Sequence, residues 1–291
     1  MTENNAQPDT QADSPVDDPV DNLADEQNGI DESSQTKPAK RPHRGIYLLP
    51  NLFTTGCLFA GFYAIVAAMG GRFESAAVAI FVAMIMDGLD GRVARLTNTQ
   101  SAFGAEYDSL ADMVSFGLAP ALVMYVWALS DMGKLGWLAA FVYTAGTALR
   151  LARFNTQAGS PDKRYFQGLA SPAAAAVMAG MVWVGQDYLI EGRSVSYLVF
   201  VITIMIGMLM VSNVRYRSFK DLDLKGKVPF VAILVVVLVF VLISIDPPQV
   251  LLLVFAGYAL SGPVVTLLTL RRRRAERKAQ SAQHEYDEPD D

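Results

Sequence analysis

The sequence predicts an all-α fold, a polytopic membrane helix bundle of about eight transmembrane helices. Three observations lead there. Hydrophobic residues make up 52% of the 291, a share in keeping with a multi-span membrane protein. Apolar stretches long enough to cross a hydrocarbon core of about 30 Å recur along the chain. The basic residues between those stretches sort onto one side of the membrane.

The predicted spans lie at 50–70, 73–96, 105–129, 135–154, 170–190, 195–214, 228–245 and 248–270. The second and third carry charges of their own, as helix ends lining a wet cavity do. The polar turn Thr97–Ser101 joins them, and Asp246-Pro247-Pro248 separates the last two. With the amino terminus inside, the inner basic set is Lys37–Arg44, Arg92, Arg95, Arg150–Arg164, Arg215–Lys227 and Arg271–Lys278. That set holds 21 of the 24 Lys and Arg, and only Arg72, Lys134 and Arg193 fall outside. An odd number of spans would scramble the partition, so both termini are expected in the cytoplasm.

The net charge of −5 comes from the ends. Residues 1–36 hold ten acidic groups and no Lys or Arg, and residues 279–291 hold five more acids. The segment 37–278 keeps all 24 basic residues against 14 acids, a net of +10. Both tails are too polar to bury a core and are expected to be disordered, leaving 37–278 as the membrane domain. The acidic start has no signal-peptide pattern. Cys57 is the lone cysteine, and the two histidines, His43 and His284, flank the core. An internal disulfide is therefore excluded, and a histidine-based nucleophile is disfavoured. Arg41–Tyr47 can lie in the interface against anionic lipid or serve as an ordinary inside anchor. The run Arg271–Arg274 lacks the aromatic interleaving of a nucleic-acid surface and reads as another such anchor.

The chemistry concentrates in residues 87–112, DGLDGRVARLTNTQSAFGAEYDSLAD. Four aspartates stand inside or at the ends of apolar spans, where each carboxylate near the membrane centre costs about 2.5–3.5 kcal/mol. At 100° per residue Asp87, Asp90, Gly91 and Ala94 share one helix face, and Gly104, Asp108, Asp112, Ser115 and Ala119 share another. Small neighbours let two backbones approach or leave room for a bulky ligand. Two such helices could bring four carboxylates to one divalent-metal site, and all-oxygen ligation favours Mg²⁺ or Mn²⁺ over zinc or copper. The other reading, solvated helix ends paired with Arg92 and Arg95, leaves too many acids unpaired once Glu106 is included.

This stretch resembles the signature of the CDP-alcohol phosphatidyltransferases, D-x2-D-G-x2-A-R-x8-G-x3-D-x3-D. Asp87, Asp90, Gly91, Ala94, Arg95, Gly104, Asp108 and Asp112 fill it without a gap. The resemblance implies that an alcohol hydroxyl attacks the lipid-bearing phosphorus of a CDP-linked donor and CMP leaves. It implies two bound divalent ions, with Asp87, Asp90 and Asp108 mainly ligands and Asp112 both ligand and general base. Gly91, Arg95 and Ser101 would lie against the CDP portion. Asn51 would touch the cytidine or diphosphate, or else simply cap a helix. A homodimer is also implied.

Four further segments, LPNLFTTGCLFAG (49–61), RLARFN (150–155), GLASPAAA (168–175) and SNVRYRSFK (212–220), resemble the integral-membrane phosphatidylserine synthases. Ala170 stands where proline is usual there, and Cys57 where asparagine is common. That resemblance implies CDP-diacylglycerol as donor and L-serine as acceptor, in the cytoplasmic (inner) membrane of a bacterium. Serine carries a carboxylate, for which arginine is the usual partner. Arg150 and Arg153, one helical turn apart, are the candidates, with Asn155 and Lys220 behind them. Glycerol phosphate, inositol phosphate and choline remain as other acceptors. From another class, a cation transporter would also use intramembrane aspartates. The crowding of all four on two adjacent helices, with no inverted repeat, argues against it.

Overall fold

The computed structural model describes residues 48–157, 165–217 and 230–287. Their framework is eight helices. In order these are α1 (Leu48–Met69), α2 (Phe73–Leu96), α3 (Ala102–Met132), α4 (Lys134–Gln157), α5 (Ser171–Asp187), α6 (Ser196–Val211), α7 (Phe230–Ile245) and α8 (Pro247–Asp287). Each coincides with one predicted stretch. Among the described residues, five segments are long and apolar enough to cross a membrane: Leu49–Met69, Ala102–Met132, Lys134–Thr156, Gly192–Val211 and Pro247–Thr269. The chain is thus an all-helical, multi-pass membrane protein. Of the other three, α2 has 24 residues but carries its own charges, and α5 and α7 have 17 and 16 residues.

Two differences from the sequence reading appear. A short antiparallel ribbon joins β1 (Tyr165–Gln167) to β2 (Arg215–Arg217), with Phe166 opposite Tyr216. Three-residue strands carry too few alternations to register against helical stretches. The second difference is in α8, which continues as helix to Asp287, past the start of the expected disordered tail at 279. Ala, Arg, Lys, Glu and Gln dominate Arg271–Gln283, and these are strong helix formers whatever their polarity. The amino-terminal tail, Arg41–Tyr47 and Lys220 lie outside the described residues.

Small side chains bring the helices together, as expected where lipid offers no hydrophobic drive between them. The α1–α2 hairpin turns at Gly71, whose φ of +72° is a conformation that L side chains rarely adopt. It buries Ala64, Ala67 and Ala68 with Ala76, Ala77 and Ile80. Where α1 meets α3, a Cβ on Gly61 would stand 2.4 Å from Ser115 Oγ. Ser115 uses that closeness to donate to the carbonyl of Cys57 at 3.0 Å.

Two helices contain proline beyond their first turn, and each break is repaired. Pro120, within α3, cannot donate to the carbonyl of Phe116, four residues earlier. The hydroxyl of Tyr143, wholly buried on α4, donates to that oxygen at 2.9 Å. Pro263 does the same to Ala259 in α8, and Tyr216 of β2 supplies the donor at 2.8 Å. Around these points α3 is wound loosely, with π-helical turns at Met113–Leu118 and Tyr125–Leu129. The first begins immediately after Asp112. Such turns are frequent at functional sites because the inserted residue re-aims its neighbours.

Candidate active site

The site lies where the ends of α1, α2 and α3 converge. Carboxylate oxygens of Asp87, Asp90 and Asp108 fall within 4.8 Å of one another, close enough to hold a metal ion. Asp112, one turn beyond Asp108, stands against the Asp87 carboxyl. The aspartates from α2 and α3 therefore meet as the helical spacing requires, with three in one cluster and the fourth beside it.

The surroundings fit a hard cation. Asp90 is the most enclosed of the three clustered residues, 5% exposed, and accepts a hydrogen bond from Thr54 Oγ1 at 2.8 Å. The Asp112 Oδ1 atom is buried with no hydrogen-bond partner, a costly state for a carboxylate oxygen. Among the described residues no Lys or Arg forms an ion pair with any of the four; the ion pair present there, Arg193 with Asp131, involves none of them. Clustered carboxylates without an ion-pair partner, one of them with an orphaned buried oxygen, suit a hard divalent cation.

The residues expected around the donor gather at the same end. Asn51, in the first turn of α1, places its side-chain oxygen 3.6 Å from where a Cβ on Gly104 would be. Ser101 caps α3, accepting from the Gly104 amide at 3.0 Å. Gly91 and Arg95 are exposed on the last turns of α2, and Arg95 Nε donates to the Gly91 carbonyl at 2.8 Å. No Cβ contact would arise at Gly91, so space is open there.

The acceptor candidates separate. Arg150 is directed into the bundle: Nη1 donates to Ser171 Oγ at 3.0 Å, and Nε is buried without a partner. It lies within the electrostatic reach of Asp112 and Tyr258. Arg153 reaches instead to Asn213 at 3.4 Å. Asn155 Nδ2 donates to Ser109, the neighbour of Asp108, at 3.0 Å.

Sequence reasoning missed three participants. Thr54 is tied to Asp90, and Thr55 shares a 3.0 Å contact with Tyr107 that links α1 to α3. Ser171 holds Arg150. The threonine pair sits inside the segment 49–61, but only contacts 36 and 52 residues apart, to α2 and α3, reveal its partners.

Comparison with known proteins agrees with this geometry. Residues 47–209 match the family model described as CDP-alcohol phosphatidyltransferase. Two Helicobacter pylori proteins named CDP-diacylglycerol–serine O-phosphatidyltransferase are similar to this chain. One is 38% identical over 231 residues, covering 79% of this chain and 94% of the relative. The other is 40% identical over 202 residues, covering 69% and 84%. A Mycobacterium bovis protein of the same name is 40% identical over 151 residues, 50% of this chain and 52% of its own length. With the motif, the carboxylate cluster and the match over 47–209 in agreement, this chain belongs to the CDP-alcohol phosphatidyltransferase family.

Proposed function

We propose that this protein is a CDP-diacylglycerol–serine O-phosphatidyltransferase, which moves a phosphatidyl group from CDP-diacylglycerol to the hydroxyl of L-serine. The observation that carries the reading is the convergence of Asp87, Asp90 and Asp108, with Asp112 beside Asp87. The similarity to proteins of that name over most of their length supports serine as the acceptor.

Asp87, Asp90, Asp108 and Asp112 would hold two divalent ions, Mg²⁺ or Mn²⁺. When bound, such ions neutralise the donor's diphosphate and stabilise charge on the departing phosphate. Asn51, Gly91, Arg95 and Ser101 line the side on which the CDP portion lies. Asp112 takes the proton from the serine hydroxyl through its free oxygen. The serine oxygen bonds to the lipid-bearing phosphorus, and the bond from that phosphorus to the CMP oxygen breaks. Arg150 offers its unpartnered Nε to the serine carboxylate, and Arg153 is the nearby alternative.

The same reading places eight spans in a bacterial inner membrane, with both termini and the site on the cytoplasmic side. It counts α2, α5 and α7 as spans, although α5 and α7 are only about 24–26 Å long. The protein would act as a homodimer. Purified protein given CDP-diacylglycerol, L-serine and Mn²⁺ releases CMP and yields a product identified by chromatography as phosphatidylserine. CMP release that does not require serine, or that requires a different alcohol, contradicts the assignment.

A further inference from the structure

The family match ends at residue 209, so β2 and α8 lie beyond it, yet both connect to the acceptor side of the site. The β-ribbon makes the connection. β1 ends at Gln167 and leads within four residues to Ser171, which accepts from Arg150 Nη1 at 3.0 Å. From β2, Tyr216 donates to the Ala259 carbonyl and sets its ring 5.4 Å from that of Tyr258, the preceding residue of α8. Tyr258 in turn lies within electrostatic reach of Arg150. We propose that Tyr258 is a positioning residue for the acceptor, its hydroxyl bracing the Arg150 guanidinium so that it stays aimed at the carboxylate of a hydroxy amino acid. The inference rests on the function assigned above and adds α8 to its acceptor site.

A brace is needed because Arg150 has a competitor for its charge. Asp112 is within its electrostatic reach and has a buried oxygen without a partner. Opposite charges at short range attract strongly where water is scarce. A guanidinium free to swing would close on Asp112, using up both the seat for the acceptor carboxylate and the base for its hydroxyl. Among the described residues the two form no ion pair, and Arg150 Nε is left buried without a partner. Ser171 holds one nitrogen, a contact about which the planar group could still turn. The guanidinium carries five N–H donors in a rigid fork, and a phenol oxygen accepts such a donor, so a second holder fixes the plane. Tyr258 is itself well seated. Its ring packs against the core, and α8 runs close to α5, where a Cβ on Gly180 would stand 3.2 Å from Leu252.

The test uses full-length protein in micelles with CDP-diacylglycerol and Mn²⁺, reading CMP release and the unfolding midpoint. Tyr258→Phe keeps the ring and loses the hydroxyl. It should raise KM for serine about fivefold or more, the loss of one hydrogen-bonding group. The kcat and the KM for CDP-diacylglycerol should stay within about twofold of the parent. An unchanged serine KM overturns the proposal. So does a comparable change in kcat or donor KM, or a variant that fails to fold, because the hydroxyl would then serve the bundle as a whole. A cycle with Arg150→Lys gives the second readout. If Tyr258 acts through Arg150, adding Tyr258→Phe to Arg150→Lys changes the serine KM by less than about twofold, whereas independent effects multiply and contradict the brace. Failure of the functional assignment looks different: the parent itself would release no CMP with serine. The same cycle on the KM of the alcohol it does use then still decides whether Tyr258 acts through Arg150.

Discussion

The hydroxyl of Tyr216 donates at 2.8 Å to the carbonyl oxygen of Ala259, the acceptor that Pro263 leaves without a backbone donor. Gly262 makes room for the ring, since a Cβ there would lie 2.4 Å from the tyrosine Cζ. Tyr143 does the same service for Phe116 before Pro120. In both cases the ring's hydroxyl replaces a missing N–H where water is scarce. The first repair also ties the β-ribbon to α8, and the second ties α4 to the helix that carries Asp108 and Asp112.

Removing that donor should therefore destabilise the bundle unless the proline goes too. Tyr216→Phe should cost about 1–3 kcal/mol, the penalty of an unsatisfied buried carbonyl. Restoring a backbone donor with Pro263→Ala should recover much of that loss in the double variant. Unfolding in detergent, read as a four-member cycle, checks this; strictly additive effects would sink the account of the repair.

Asp112→Asn keeps the shape of the side chain and removes its basicity. Turnover should fall about 10²–10⁴-fold, with the unfolding midpoint close to that of the parent. A variant retaining most of its CMP release would show that another group takes the serine proton.

Thr54→Val deletes the hydrogen bond to Asp90 without changing volume much. The expected result is a metal requirement raised about 10–100-fold, as for other losses of support behind a ligand. A metal titration of CMP release measures it, and saturation at high Mn²⁺ should restore most of the rate.

Arg150→Lys retains charge and loses the planar fork. The KM for serine should rise about tenfold or more while that for CDP-diacylglycerol stays put. Should both constants move together, Arg150 acts on the site as a whole and not on the acceptor.

Much of this was legible in the chain itself, for a physical reason. Hydrophobic length marks the helices, and helical periodicity puts Asp87 with Asp90 and Asp108 with Asp112. What escaped depends on contacts distant in sequence. Thr54 finds Asp90 across 36 residues, Tyr143 finds Phe116 across 27, and Tyr216 finds Ala259 across 43. None has a local pattern, since a threonine or tyrosine in an apolar stretch looks the same with or without its partner. Arg150 and Arg153 were equivalent in sequence, and only packing against Ser171 separated the inward arginine from the one facing Asn213. The loosened turns of α3 were equally silent, because proline announces a disruption but not how the helix absorbs it.

The central claim is that the aspartates of α2 and α3 hold divalent ions together. Isothermal titration of Mn²⁺ into the purified protein with CDP present tests it without relying on turnover. The account predicts saturable binding by the parent, weakened at least about tenfold in each of Asp87→Asn, Asp90→Asn and Asp108→Asn. Unchanged Mn²⁺ affinity in all three variants would contradict it.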